Sequence, residues 1–312
     1  MKIEPHSARA PSGRKRGCRY WRNLLLAGLA ASLGGCLFLF YVAFPIIHAN
    51  SVAHPKRLPV CCRTPSDVGL AYEDVAIETS DGLTLRGWYI PSQNRAAVIV
   101  THGAYGNRVG HLDQAAALAE RGFGVLLLDL RAHGDSDGST ITFAGTDILA
   151  AAAYLQARAD VDPQRIGAMG LSLGGGAVLQ AAARSTAIRA VVADGPGPGA
   201  YRDWPDPESL LDWLYVPFDW VWFKVLEREG VVAPEATLDV IARIAPHPIL
   251  IIAGAKPRLE QFARDYFEAA GEPKEMWAIP EAVHAQTWAA RPEEYAGRII
   301  RFFEAALLGN KP

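Results

Sequence analysis

Arg165-Ile166-Gly167-Ala168-Met169-Gly170-Leu171-Ser172-Leu173-Gly174-Gly175-Gly176 is the stretch on which the fold turns. A short apolar run reaches Gly170-Leu171-Ser172-Leu173-Gly174, and an Ala-rich stretch of helical character, residues 177–184, follows with no conventional loop between them. Strand, sharp turn and helix in that order are what a G-x-S-x-G nucleophile elbow requires. The glycines have a mechanical role, because the turn is so tight that side chains two places before and after Ser172 would meet each other or the neighbouring strand. Ser172 is therefore expected on a strained corner, at the start of a helix whose dipole favours developing negative charge. Gly is common here, at 29 residues, so the bare pattern is weak and its setting has to carry it.

Outward from the elbow, the chain before it begins with two-period stretches at 72–79 and 83–90, joined by Ser80-Asp81-Gly82, a hairpin signal. Apolar runs follow at 97–101, 124–130, 166–171, 190–193, 249–253 and 275–279. Helix-like stretches separate them at 110–121, 144–158, 174–184, 259–270 and 292–308. An antiparallel start followed by strand-helix alternation predicts a mostly parallel sheet with helices on both faces. Brief apolar runs, rather than alternating ones, fit strands buried on both sides.

With the elbow come Thr101-His102-Gly103 after the third strand, Asp129-Leu130-Arg131-Ala132-His133-Gly134-Asp135-Ser136 after the fourth, and a late Pro280-Glu281-Ala282-Val283-His284. On these motifs the chain from about 68 to 308 resembles an α/β-hydrolase of the serine-hydrolase type, similar to esterases and serine aminopeptidases. The resemblance implies an eight-stranded, mostly parallel sheet with helices on both faces and a small cap at about 195–244. It implies Ser172 as nucleophile and His284, after the last strand, as the base. After strand seven this family commonly shows a glycine and then an Asp; here Gly254 leads into Ala255-Lys256-Pro257-Arg258-Leu259-Glu260. Glu260 is thus the first candidate for the third member, ahead of Asp194 at the end of strand six and Asp265 farther along the helix, and Lys256 or Arg258 could instead pair with Glu260. The oxyanion donors would be the N–H groups of Leu173 and of Ala104, with Tyr105 as the alternative to Ala104.

His102 and His133 belong to turn motifs and are expected to hold loop geometry, and Asp129 to cap the segment after it. The cap carries Trp204, Trp213, Trp220 and Trp222 and reads as short helices over the sheet edge; the tryptophans either pack it to the core or also line an apolar acyl pocket. No His or Cys set has metal-ligand spacing, and no G-x-G-x-x-G follows a first strand, so neither a metal nor a dinucleotide cofactor is expected. Ser rather than Asp at the elbow argues against a dehalogenase or epoxide hydrolase.

The 312 residues are enough for one large domain and an appendage. Residues 1–22 hold seven Lys or Arg against Glu4, a net +6 that leaves −8 for the rest of a chain whose formal total is −2. No basic face is left to neutralise phosphates, so a nucleic-acid partner is not expected. Residues 24–47 carry no charge; as a helix they span about 36 Å against a hydrocarbon core of roughly 30 Å. The basic cluster before them keeps the N-terminus cytoplasmic and sends the body across. Leu33-Gly34-Gly35-Cys36 also resembles a lipoprotein box, but a further apolar run follows the cysteine where a polar tether belongs. Cys18, Cys36, Cys61 and Cys62 all precede the body and say little about redox compartment.

The expected organisation is a basic tail at 1–22, a transmembrane helix at 23–47, a fairly extended linker with Pro55, Pro59 and Pro65 at 48–67, and a hydrolase domain at 68–312. The expected activity is cleavage of a carboxylic ester, thioester or amide through an acyl-enzyme on Ser172, with a small-molecule or lipid-derived acyl substrate at the membrane. Acyl transfer to an alcohol on the same fold, and a non-catalytic binding module, are the competing readings. Sequence does not fix the oligomeric state.

Overall fold

The computed structural model describes residues 14–207, 209–255 and 257–309. Residues 1–13 of the basic tail and Lys256 lie outside the described residues, as does the side chain of Arg258. In chain order the helices are α1 (Arg14–Phe38), α2 (Phe44–Ala53), α3 (Leu112–Ala119), α4 (Thr146–Gln156), α5 (Leu173–Arg184), α6 (Leu210–Arg228), α7 (Thr237–Val240), α8 (Pro257–Ala269), α9 (Thr287–Ala290) and α10 (Pro292–Phe303). The strands are β1 (Glu73–Glu78), β2 (Thr84–Ile90), β3 (Ala97–Thr101), β4 (Gly124–Leu128), β5 (Ile166–Leu171), β6 (Ala190–Asp194), β7 (Ile249–Ala253) and β8 (Lys274–Ala278). They form one eight-stranded sheet in the order β1-β2-β4-β3-β5-β6-β7-β8. β2 runs antiparallel to both β1 and β4, and every other pairing is parallel.

The burial of each strand follows its place in the sheet. The central strands β3, β4, β6 and β7 are buried at every position, because helices cover both faces. In β3, Ala97 and Ile99 face one core and Val98 and Val100 the other. The first core is closed by α4, α5 and α8, with Ile148, Val178 and Phe262, and the second by α3 and α10, with Leu118, Ile299 and Phe303. The edge strands β1 and β8 alternate instead: only Val75 and Ile77 in β1, and only Trp277 in β8, are fully buried.

Two segments depart from the sequence reading. The N-terminal helix does not end at 47: after a π-helical turn at Leu39–Ala43 it continues as α2 to Ala53, six residues into the stretch read as linker. Ala49, Val52 and Ala53 pack into the first core, so burial against the body extends the helix. The chain then crosses the body surface, where the Arg57 guanidinium donates to the carbonyls of Gly134 (3.0 Å), Ser136 and Gly138 (2.6 Å). The cap is not a set of short helices alone but is dominated by the 19-residue α6. A capping box starts α6: Ser209 Oγ accepts from Asp212 N at 3.2 Å, and Asp212 Oδ2 accepts from Ser209 N at 2.9 Å. Trp222, Phe223 and Leu226 bury its inner face. Residues 19–53 are long and apolar enough to cross a membrane by length and composition.

Candidate active site

β5 delivers Ser172 to the carboxyl edge of the sheet, and α5 starts at the next residue. Ser172 sits at φ 53°, ψ −110°, a strained conformation for a residue with a side chain. Close approach explains the glycines around it. A Cβ on Gly170 would lie 2.3 Å from the backbone of Gly174, and one on Gly174 would lie 2.6 Å from the carbonyl oxygen of His102. Backbone hydrogen bonds clamp the corner, with Ser172 N donating to Asp194 O at 2.8 Å and Gly176 N to Ser172 O at 3.0 Å.

His284 arrives from the turn after β8, and its Nε2 lies 3.0 Å from Ser172 Oγ. On the other side of the ring, Nδ1 lies 3.5 Å from Glu260 Oε1, at the start of α8. The Glu260 side chain is almost fully buried, and its Oε2 has no partner among the described residues. Asp194, at the end of β6, points elsewhere. Its Oδ2 accepts from Tyr295 Oη at 3.0 Å and from Thr287 Oγ1. Burial raises the Asp194 pKa to about 6, against the pull of those two hydroxyls, and Glu260 nearby adds to the rise. Asp265 accepts from Gln261 Nε2 at 2.8 Å, one turn along α8 from Glu260.

The loop after β3 carries Ala104 and Tyr105 past the same spot, and both line the cavity above Ser172. Two histidines shape that loop. His133 Nε2 lies 2.7 Å from the Ala104 carbonyl oxygen, which can only accept. His102 accepts from Leu130 N through Nε2 at 3.1 Å and faces the Gly103 carbonyl through Nδ1 at 2.8 Å. Its burial, with His133 beside it, lowers its pKa to about 3, so it remains neutral. Asp129 accepts from Asp135 N at 3.0 Å and from Arg108 N at 2.7 Å, and pairs with the Arg108 guanidinium, bracing the two loops against each other. No hydrogen bond within the described residues uses the N–H of Leu173 or of Ala104.

A model of the alpha/beta hydrolase fold matches residues 96–240. The chain is 31% identical over 305 residues to an uncharacterized protein of Mycobacterium tuberculosis, Rv2307c, covering 94% of this chain and 98% of that one. The chain belongs to the α/β-hydrolase superfamily. It is 26% identical over 303 residues to the alpha/beta hydrolase domain-containing protein WAV2 of Arabidopsis thaliana, covering 90% of this chain and 92% of that one. Among solved structures it is similar to a Pyrococcus furiosus esterase, with a TM-score of 0.65 and 25% identity, covering 81% of this chain and 99% of that one. In this α/β-hydrolase the triad-like placement of Ser172, His284 and Glu260 fits serine-hydrolase catalysis on ester, amide or thioester bonds.

The cavity over Ser172 holds about 820 Å³ and is mainly apolar, walled by Phe143, Trp204, Phe218, Trp222, Phe262 and Trp288. The cap tryptophans divide: Trp204 and Trp222 line it, while Trp213 and Trp220 face outward. His48 and Val52 of α2 also line it, from a stretch that the sequence reading assigned to a linker. The signal that could have found them is the apolar helical spacing of Ala49, Val52 and Ala53, which carries on past Ile47. Among the described residues no cluster of three or more His, Cys, Asp or Glu could hold a metal ion.

Proposed function

We propose that this α/β-hydrolase is a membrane-anchored serine hydrolase that cleaves a carboxylic ester, thioester or amide through an acyl-enzyme on Ser172. The observation that carries the reading is the 3.0 Å approach of His284 Nε2 to Ser172 Oγ at the mouth of an apolar cavity. Likeness to the Pyrococcus furiosus esterase supports it. In this reading His284 takes the hydroxyl proton as Ser172 Oγ attacks the carbonyl carbon, and Glu260 orients the ring and stabilises the imidazolium. The N–H groups of Leu173 and Ala104 meet the oxyanion, each worth roughly 3 to 4 kcal/mol of transition-state stabilisation. His284 then passes the proton to the leaving group, and a water that it deprotonates releases the acid and frees Ser172.

The uncharged stretch at 24–47 would anchor the chain, with the basic tail at 1–22 on the cytoplasmic side and the hydrolase body, 68–312 with its cap at 195–244, on the other. The substrate in this reading is a small-molecule or lipid-derived acyl compound, chosen by the apolar lining. A fluorophosphonate probe tests the chemistry: it should label the full-length protein and fail to label Ser172→Ala. Folded wild type that takes no label would overturn it. Hydrolysis of p-nitrophenyl esters of graded chain length, beside amide and thioester panels, then sorts the bond type.

A further inference from the structure

The helix that closes the cavity is apolar on its inner and on part of its outer side. Trp222, Phe223 and Leu226 bury the inner face of α6, yet Leu210, Trp213 and Trp220 on the outer face are 82%, 61% and 53% exposed, with Leu211 and Leu214 beside them. Apart from Asp212, whose carboxylate is taken up by the Ser209 capping box, the exposed residues of α6 stay uncharged until the last two turns, at Lys224, Glu227 and Arg228. α6 also packs along the N-terminal helix. The Phe40 ring lies 5.5 Å from Tyr215 and 5.7 Å from Phe218, Phe44 lies 6.0 Å from Phe218, and His48 lies 6.0 Å from Trp222. Both series advance in the same direction, so the two helices run side by side and parallel, and residues 210–214 project back towards the uncovered part of the N-terminal helix.

That uncovered part fixes a depth. Every residue from 19 to 39 is exposed; from Phe40, which meets Tyr215 and Phe218, the body covers one side of the helix, while Phe44, Ile46 and Ile47 stay exposed on the other. From Arg22 to Phe40 a helix rises about 27 Å, close to the roughly 30 Å hydrocarbon thickness. With Arg22 at one boundary, Phe40 stands near the other, and the first turns of α6, reaching about 5 to 8 Å past it, enter the acyl layer.

We propose that the outer face of α6, Leu210 to Trp220, rests in the headgroup and acyl boundary of the leaflet nearest Phe40, and that the cavity takes its substrate from that leaflet: an acyl ester, thioester or amide of a membrane-resident amphiphile. The substrate half rests on the serine-hydrolase reading. The occupant of the face is lipid because the face is continuous with the exposed apolar surface of α1 and ends where α6 becomes charged. The route is short: α2 supplies His48 and Val52, and α6 supplies Phe218 and Trp222, to the wall of the cavity that holds Ser172. In this proposal an acyl chain leaves the bilayer beside α2 and α6 and enters the cavity that the two helices wall.

The test uses the full-length chain in phosphatidylcholine vesicles. Acyl-chain-brominated lipid should quench tryptophan fluorescence, and the Trp213→Phe/Trp220→Phe variant should lose a clear share of that quenching. Equal quenching in wild type and variant would overturn the placement of α6, as would cross-linking of two copies through this face. For the substrate, Leu210→Asn/Trp213→Gln should lower the rate on a palmitoyl p-nitrophenyl ester carried in the vesicles at least tenfold. The same variant should keep its rate on soluble p-nitrophenyl acetate within twofold and keep its fluorophosphonate labelling. Equal rates on both substrates, or an equal loss on both, would overturn entry from the leaflet. Absence of labelling in wild type would remove the serine-hydrolase reading, and entry with it, while the quenching result would still report where α6 lies.

Discussion

His284 Nε2 stands 3.0 Å from Ser172 Oγ although 112 residues separate them. The two come from strands that are not neighbours: β6 and β7 lie between β5 and β8, so the turn after β8 reaches back across the carboxyl edge. Gly195, at the end of β6 with φ +51°, makes room for the ring, since a Cβ there would lie 3.1 Å from both Nδ1 and Cε1 of His284. Gly195→Ala should therefore push the imidazole off line. A misplacement of about 1 Å costs on the order of 100-fold, and kcat/KM on a short p-nitrophenyl ester, with the fluorophosphonate labelling rate, would show the loss.

The two acids behind His284 predict opposite phenotypes. Glu260 Oε1 faces Nδ1, whereas Asp194 is held by Tyr295 and Thr287. Glu260→Gln is expected to lower kcat by about 10²- to 10⁴-fold, since the amide neither fixes the tautomer nor stabilises the imidazolium. Asp194→Asn should cost less than about tenfold. Steady-state kinetics on both variants decide it; a larger loss in Asp194→Asn would reverse the assignment.

Asp194 also predicts a pH dependence of stability. Its pKa rises from 3.8 to about 6 on folding, mainly through burial. Between those values the native state keeps a proton that the unfolded chain has released, so stability falls as pH rises through the window. The size is about 3 kcal/mol, present below pH ~4 and lost above pH ~6. Asp194→Asn cannot ionise, and its stability relative to wild type should improve between pH 4 and pH 7. Denaturant unfolding at the two pH values measures the difference.

Arg108 and Asp129 form a buried pair, with Arg108 also reaching Asp135 at 2.7 Å. Arg108→Ala strands a carboxylate that has no exposure and should destabilise by about 3 to 5 kcal/mol. Arg63 and Asp113 are a similar 2.8 Å apart, but about half exposed and screened by solvent, so Arg63→Ala should leave the melting temperature nearly unchanged. Thermal melts of the two variants compare the sites directly.

The elbow was legible because its requirements are local: Gly170 and Gly174 are needed by atoms within a few residues of Ser172 or on the adjacent strand β3. The central strands were legible from continuous apolar runs, since burial on both faces leaves no polar positions. The end of the N-terminal helix is not legible in the sequence, because Ala49, Val52 and Ala53 are helical through contact with the body, and the prolines farther on read as an extended tether. The split among the cap tryptophans was not legible either, because helical spacing does not say which side of α6 faces the sheet.

Residue order alone carries the strand and helix succession, the strained serine corner and an uncharged stretch long enough to span a bilayer, all properties of neighbours along the chain. It took the folded arrangement to turn Glu260 rather than Asp194 towards His284, and to make the end of the N-terminal helix and α6 wall the cavity together. Both depend on which side chains meet across the sheet edge. Packing of distant helices sets that meeting, and a carboxylate takes whichever hydroxyl or imidazole the fold places within reach.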